Sequence, residues 1–479
     1  MSEREPVGAM AASVGLVQHV RRVHRDLELL DYPRRPWLAP RVASSGEPVH
    51  DVLIVGAGQS GLSTAFALAR ERVTNVVVVD RNPKDHAGPW LSFARMRTLR
   101  TPKYLTGPDL GIPSLTPRAW YEAQFGDGSW EALGLIPKET WASYLAWYRE
   151  TLSIPVEPET SVGVIDYDAA ERCFVVPCTR ALVTQVRRAR RVVLATGIDG
   201  SGEWRVPRVI SEALPRHLYA HTRDDIDFAA LRGKRIAVLG AGASGFDNAA
   251  TALEHGAREV HLLFRRQKLV NVNPYRWAEF VGFLKHHADL PDLQKWHFIS
   301  QILRMGQLPP KDTLERARAL PGFQLHPGTA FDSLRAEGDQ VVIDREDGPL
   351  TVDFVIVATG FTTDLAARPE LARFEPHIAR WADRFTPPAE DAHDDLLRHP
   401  YLGPSFEFTE RHPGSAPHLA HLYNYSFGGL LSMGFGGASI SGLKYSVARL
   451  VAGLTRSLFL EDSAAHFGNL CAFSEPEFE

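Results

Sequence analysis

The sequence predicts an α/β fold of two parallel-sheet domains, the second inserted in the first. Three observations carry that prediction. Asp51 to Asp80 reads as a buried strand, a glycine turn, an amphipathic helix and a second buried strand. Gly233 to Arg266 repeats the same order. The tripeptide Ala-Thr-Gly closes an apolar run at 195–197 and again at 358–360, after each unit. Strand and helix patterns that alternate in this way build parallel sheets with helical crossovers.

In the first unit, Val52 to Val55 form an unbroken apolar run, as a strand buried on both faces requires. Gly56-Ala57-Gly58-Gln59-Ser60-Gly61 follows at once. Gly56 permits the tight turn, Gly58 lets a pyrophosphate approach the backbone, and Gly61 lets helix and strand pack closely. The helix beyond offers free N–H groups and a positive dipole end to phosphates, with Ser60 in its first turn. Val76 to Val79 then run to Asp80, a carboxylate placed to accept hydrogen bonds from a ribose. A lone GxGxxG is a weak signal; the full strand–turn–helix–strand–acid context makes this a Rossmann-like dinucleotide-binding unit.

The second unit places Gly240, Gly242, Ser244 and Gly245 at the same spacing, but its strand ends on Arg265-Arg266. A carboxylate there would repel a 2′-phosphate, whereas guanidinium groups can grip one. NADPH rather than NADH is therefore the expected second nucleotide.

Bulk properties exclude several function classes. Net charge is -4, from 53 basic and 57 acidic residues, so neither nucleic acid nor an acidic membrane is an expected partner. Arg187, Arg188, Arg190 and Arg191 cluster, but they lead into an apolar run and read as a solvated strand entry. Three cysteines in 479 residues suit a reducing compartment. Cys173 and Cys178 have the C-x4-C spacing of a redox pair, yet CFVVPC alternates as a strand does, and positions i and i+5 of a strand face opposite ways. No signal peptide and no apolar stretch of about 18 residues is visible, which predicts a soluble, cytoplasmic protein. His286 and His287 diverge by about 100° on a helix and suggest no metal site.

Taken in order, Leu16, Val20, Val23, Leu27 and Leu30 keep helical spacing. They predict a helix ended by the 32–37 Pro/Arg stretch, packed on the domain or serving a subunit contact in a homo-oligomer. The 81–115 region, rich in proline and glycine, predicts an ordered loop beneath the first turn. Trp120, Tyr121, Phe125, Trp130, Trp141, Tyr144, Trp147 and Tyr148 follow; they can wall a flat-ring pocket or pack a core. Glu139 to Leu152 predicts a helix, and the following segment a β-meander. Val270 to Gln307 reads as a helical insertion. The glycine-rich 424–439 stretch leads into a terminal helix from about Ile440. Its N-terminus can hold negative charge or pack tightly against neighbours.

GAGQSG, GKRIAVLGAGASGFDNA, the ATG and DFVIVATGF pair, and His221-Thr222 before the second motif together resemble the class B flavoprotein monooxygenases, over about residues 50–460. That group includes flavin-containing, N-hydroxylating and Baeyer–Villiger enzymes. The resemblance implies FAD on the first motif and NADPH on the second. The expected domains are a 1–48 helical extension, an FAD-binding domain in two parts (49–207 and 346–479, the latter with the C-terminal helix), and an NAD(P)H-binding domain at 208–345 with a helical insertion at about 270–320. The implied reaction inserts one atom of O2 into a small organic substrate through a C4a-hydroperoxyflavin, by N-, S- or ring-hydroxylation. The F-x-G-x-x-x-H-x-x-x-aromatic fingerprint is absent, with Pro215, His217 and Asp225 in its place, which argues against Baeyer–Villiger chemistry. G-G-x-W is reduced to Gly88-Pro89-Trp90. The Met96–Leu105 loop looks like that of the N-hydroxylating group, and it offers Lys103 and Arg100 as candidate catalytic residues. A looser likeness links the chain to bacterial FAD-dependent urate hydroxylases. An NAD(P)H-dependent flavin reductase and a non-catalytic nucleotide sensor are the other readings.

Overall fold

The computed structural model describes residues 14–30, 33, 35–105, 107–331 and 333–478. Its elements start with α1 (Val14–Leu29), β1 (Pro48–Val55), α2 (Gln59–Arg70), β2 (Val76–Val79) and β3 (Val183–Leu194). They continue with β4 (Arg235–Leu239), α3 (Ala243–Glu254), β5 (Glu259–Phe264), β6 (Phe354–Val357) and α4 (Ile440–Glu461).

The first sheet is centred on β1, whose Val52, Leu53 and Ile54 are wholly buried. β2 and β3 flank it in parallel, and Leu422–Tyr423 adds to the far side of β3, also in parallel. The predicted meander is there: Cys173–Arg180 returns antiparallel on β3. Cys173 and Cys178 are both buried free thiols on that strand, and burial pushes Cys178 up to about 11, so neither is poised for redox exchange. The second sheet is parallel throughout, in the order 219–221, β6, β4, β5, 323–327. α2 packs on α4 beside the first sheet, and α3 packs on the helix Lys311–Arg318 beside the second. The strand–glycine turn–helix order puts both turns at the carboxyl ends of their sheets, where parallel sheets bind ligands.

The N-terminal helix docks on the first domain. His19, 8% exposed, has its Nε2 2.8 Å from the Ser114 carbonyl and its ring stacked on Trp147 at 5.7 Å. The stretch expected to stop this helix lies partly outside the described residues, at 32 and 34. No helix is long and apolar enough to cross a membrane among the described residues.

One reading is corrected, and one choice between two readings is decided. Arg190 and Arg191 are not solvated: they are 0% and 1% exposed. The sequence hid their partners, which come from β1 and from the far end of α4. Arg190 pairs with Asp51 at 3.2 Å, Glu461 at 3.1 Å and Asp462 at 2.7 Å, and Arg191 pairs with Glu461 at 2.9 Å. Of the two readings of the aromatic run from Trp120 to Tyr148, the structure realises the core. Trp120, Trp130, Trp141, Tyr144, Trp147 and Tyr148 belong to the main apolar cluster. Their rings meet in tilted contacts at helical spacing, as in Trp141–Tyr144 at 5.2 Å and Tyr144–Trp147 at 5.8 Å.

Candidate functional site

Both glycine turns are shaped by close backbone contact. Gly56 has φ +108°, and a β-carbon on it would meet the Ala195 carbonyl oxygen at 2.4 Å. Gly240 has φ +117°, and a β-carbon there would meet the Ala358 carbonyl oxygen at 2.5 Å. Each Ala-Thr-Gly thus backs its own turn. Gly58 and Gly242 differ: a β-carbon on either would stand in open space, with nothing within 4 Å. These two residues are also the N-caps of α2 and α3, in extended backbone and with no side-chain cap. The first N–H groups of both helices are therefore left free for a ligand that approaches over the glycine. A pyrophosphate fits that cradle.

One cavity of about 1380 Å³ opens onto both turns. Ordinary single-ligand pockets hold about 300–1,000 Å³, so this one has room for more than one ligand. Gly56, Gly58, Ser60, Asp80, Trp90 and Arg100 reach it from the first domain, and Gly242 and Ser244 from the second. Gly61 and Gly245 lie behind the turns, where a β-carbon would stand 1.8 Å and 2.1 Å from the carbonyl oxygens of Gly56 and Gly240. Asp80 is 8% exposed; its carboxylate accepts from Ala57 N at 2.7 Å and Asn82 N at 2.8 Å, which fixes it facing the turn. The Ser60 hydroxyl donates to the Gly437 carbonyl, tying α2 to the C-terminal glycine turn. Through that link Gly437, Ala438 and Ser439, with the free N-terminus of α4 at Ile440, join the cavity wall.

The aromatic lining comes from residues the sequence did not single out for it. Trp204 contacts Phe93 and Phe361 at 5.6 Å each, and Phe361 contacts Phe427 at 4.7 Å, in a continuous wall. These four residues lie far apart in the chain, so no local spacing reveals them. Trp141 reaches the site only indirectly, through Nε1–H to Gln59 Oε1 at 3.2 Å.

Arg265 and Arg266 line a separate pocket of about 380 Å³ together with Gly240, Gly242, Arg205 and Lys268. Four cations around the mouth of the second turn make an anion site. The two arginines are not equivalent. Arg266 donates to the carbonyls of Arg304 at 3.2 Å and Met305 at 3.3 Å, the last turn of the helix Asp292–Met305. Arg265 lies over the Phe331 ring, 6.0 Å from its centre.

Arg100 and Lys103, paired in the sequence reading, part company. Arg100 donates to Asp247 Oδ2 at 2.7 Å, bridging the first domain to the helix after the second turn. Asp247 is nearly buried, and desolvation pushes its pKa up even though Arg100, Arg316 and Thr313 pull it down. Lys103 lines neither pocket; its ammonium group donates to the Trp130 carbonyl and sits 5.2 Å from the Trp130 ring centre. His221 is a buried imidazole with Nδ1 accepting from Arg223 N at 3.1 Å and Nε2 3.1 Å from the Gly360 carbonyl. Those partners make it the neutral, Nε2-protonated form, consistent with burial lowering its pKa. No group of three or more His, Cys, Asp or Glu residues among those described could hold a metal ion.

Residues 50–287 match the family described as pyridine nucleotide-disulphide oxidoreductase. A protein of Xanthomonas campestris pv. campestris named FAD-dependent urate hydroxylase is 43% identical over 465 residues, covering 97% of this chain and 98% of its own. Among solved structures, an ornithine hydroxylase from Pseudomonas aeruginosa superposes with a TM-score of 0.68 at 16% identity, covering 86% of this chain and 100% of its own. L-lysine 6-monooxygenase from Pseudomonas syringae gives 0.64 at 16% identity, over 85% of this chain and 99% of its own.

Proposed function

We propose a reaction for this chain, which belongs to the family of FAD-dependent hydroxylases: it uses NADPH and O2 to hydroxylate a small, flat nitrogen heterocycle of the urate type. The observation that carries the proposal is the single cavity shared by both glycine turns, the Trp204 aromatic wall and the N-terminus of α4. FAD supplies the oxygen-activating ring system, and NADPH supplies the hydride that reduces it. The protein's share is binding, orientation and exclusion of water.

The N-terminus of α2 and the open face of Gly58 are the seat for the FAD pyrophosphate, and Asp80 is the ribose acceptor beside it. The N-terminus of α4, a helix of 22 residues, presents its positive dipole end to the cavity and suits a ring system that becomes negatively charged on reduction. Gly242 and α3 repeat the pyrophosphate seat for NADPH, and Arg265 with Lys268 and Arg205 takes the 2′-phosphate. The aromatic wall keeps bulk water from the reacting atoms.

The test is steady-state turnover of FAD-loaded enzyme with NADPH, oxygen and uric acid, with product analysis. The expected result is NADPH consumption stimulated by urate and matched by hydroxylated product. If urate leaves NADPH consumption unchanged and all oxygen returns as peroxide, the urate-type substrate is wrong. If electrons pass only to an added acceptor, the flavin reductase reading replaces this one.

A further inference from the structure

Part of the cavity wall is built by the helical insertion against the C-terminal glycine turn. Tyr275, Leu303, Leu430 and Phe435 make it apolar, and the Tyr275 and Phe435 rings lie 5.3 Å apart at 30°. Phe435 lies two residues before Gly437, which Ser60 ties to the first turn. This patch therefore abuts the region proposed for the FAD ring.

One charged group is set in that patch. Glu279 lines the cavity from the link between the short helices Pro274–Trp277 and Val281–His286. Its Oε2 accepts no hydrogen bond from any described residue and is turned away from the cavity, so the carboxylate turns about its last bond to meet a ligand. A buried carboxylate oxygen without a donor is costly, and native proteins rarely keep one without a use. Burial raises the Glu279 pKa, while Arg276 and the hydroxyl of the exposed Tyr104 only partly offset that. A flat ligand lying against Tyr275 and Phe435 supplies what is missing if it carries an N–H on its edge.

We propose that Glu279 is the substrate-recognition residue: its carboxylate accepts a hydrogen bond from a ring N–H of a heterocycle stacked on the Tyr275–Phe435 face. This rests on the hydroxylase reading above and narrows it, because the site selects heterocycles with a free N–H edge over amines, sulfides and fully N-alkylated rings. A hydrogen bond to a charged group, once removed, costs about ten- to a hundredfold in affinity.

The experiment titrates FAD-loaded wild type, Glu279→Gln and Glu279→Ala with uric acid and its singly N-methylated derivatives, reading binding from the flavin absorbance. FAD content and thermal midpoint report folding. In wild type, at least one N-methyl derivative should bind about ten- to a hundredfold more weakly than urate. Glu279→Ala should weaken urate by the same factor and become indifferent to that methyl group. Glu279→Gln, which keeps an acceptor oxygen without the charge, should fall between. Steady-state KM for urate should rise in the same order. A purely structural role would weaken all the ligands alike, and that outcome overturns the proposal. So does a loss confined to NADP+ affinity, which would assign the carboxylate to the nicotinamide carboxamide. Unaltered urate binding in both variants overturns this inference and leaves the hydroxylase reading standing. Failure of wild type to bind or turn over urate removes the substrate class, and this inference with it.

Discussion

At Gly61 a β-carbon would stand 1.8 Å from the Gly56 carbonyl oxygen, and at Gly245 one would stand 2.1 Å from that of Gly240. The two turns share this inner side, down to the Ala-Thr-Gly backing each of them. They part at the residue that ends the following strand: Asp80 in one, Arg265 and Arg266 in the other. The shared side serves a chemistry common to all dinucleotides, a pyrophosphate at a helix N-terminus. In the proposed binding mode the divergent side meets the ribose, where dinucleotides differ. The two domains also differ in how their sheets are anchored. The first is clamped to α4 by buried ion pairs through Arg190 and Arg191, whereas the apolar clusters around the second sheet rest on side chains such as Ile236, Val238 and Leu262.

The sharpest way to separate the two turns is to fill the open face of each. Gly58 has φ -68° and Gly242 φ -74°, values any residue adopts, and neither has a neighbour within 4 Å of a β-carbon. Gly58→Val should fold yet carry no flavin, seen as colourless protein with an ordinary circular dichroism spectrum. Gly242→Val should stay yellow and lose NADPH binding. Loss of fold in either would mean the open space serves packing and not a ligand. Gly61→Ala, by contrast, should fail to fold.

The ion clamp predicts a stability difference between the domains. Glu461 is held down to about 2 by Arg191 and Arg190, against the desolvation that opposes them. Its folded pKa lies below its unfolded value of 4.5, so its stabilisation is fully present above about pH 4.5 and is lost as pH falls toward 2. Asp51, which burial pushes up, works in the opposite sense. Glu461→Gln should cost about 3–5 kcal/mol at neutral pH, because buried Arg191 loses its carboxylate and keeps the Ser457 hydroxyl and carbonyl, while Arg190 keeps Asp51 and Asp462. Urea titrations monitored in the flavin domain should show the gap from wild type closing as the medium is acidified. A gap independent of pH would assign the loss to packing.

At the outer side of the second turn, Arg265→Ala should raise the KM for NADPH by about ten- to a hundredfold and leave NADH nearly untouched. Arg266→Ala should do less to NADPH and more to thermal stability, because its guanidinium is committed to the Arg304 and Met305 carbonyls. Equal effects on NADPH would show that Arg266 releases those carbonyls to bind phosphate.

What the sequence disclosed follows from how local each feature is. Both turns, their helices and the strand ends at Asp80 and Arg265 lie within some thirty consecutive residues each, and periodicity reads them directly. The start of α4 at Ile440 was legible from the glycines before it. The cavity wall was not. Phe93, Trp204, Phe361 and Phe427 meet only because the two parts of the first domain, split in sequence by the inserted one, fold together. The aromatic run that did stand out, from Trp120 to Tyr148, sits on consecutive helical turns and packs the core. Burial of Arg190 and Arg191 was equally hidden, since Glu461 and Asp462 lie at the other end of the chain. Arg100 and Lys103, three residues apart, face different surroundings for the same reason.

The smallest expected effect tests the Arg100–Asp247 ion pair, which with Arg97–Glu254 at 2.6 Å joins the loop of the first domain to the helix after the second turn. Arg100→Ala removes the closest cation from Asp247, but Arg316 at 3.9 Å and the Thr313 hydroxyl at 3.3 Å remain. The Arg100 side chain is 32% exposed, so the loss should be only about 1 kcal/mol. Its sign with pH is informative. Burial raises the Asp247 pKa above its unfolded value, so this carboxyl lowers stability as pH rises through that window. Without Arg100 the folded pKa climbs further and the window widens upward, so the variant's deficit should grow as pH rises above the ordinary carboxylate range. The functional readout is the ratio of hydroxylated product to NADPH consumed. If the Arg100–Asp247 bridge holds the two turns in register, that ratio should fall while peroxide release rises, with FAD content unchanged. A fall in stability with full coupling would make the bridge a fastener of the domains alone.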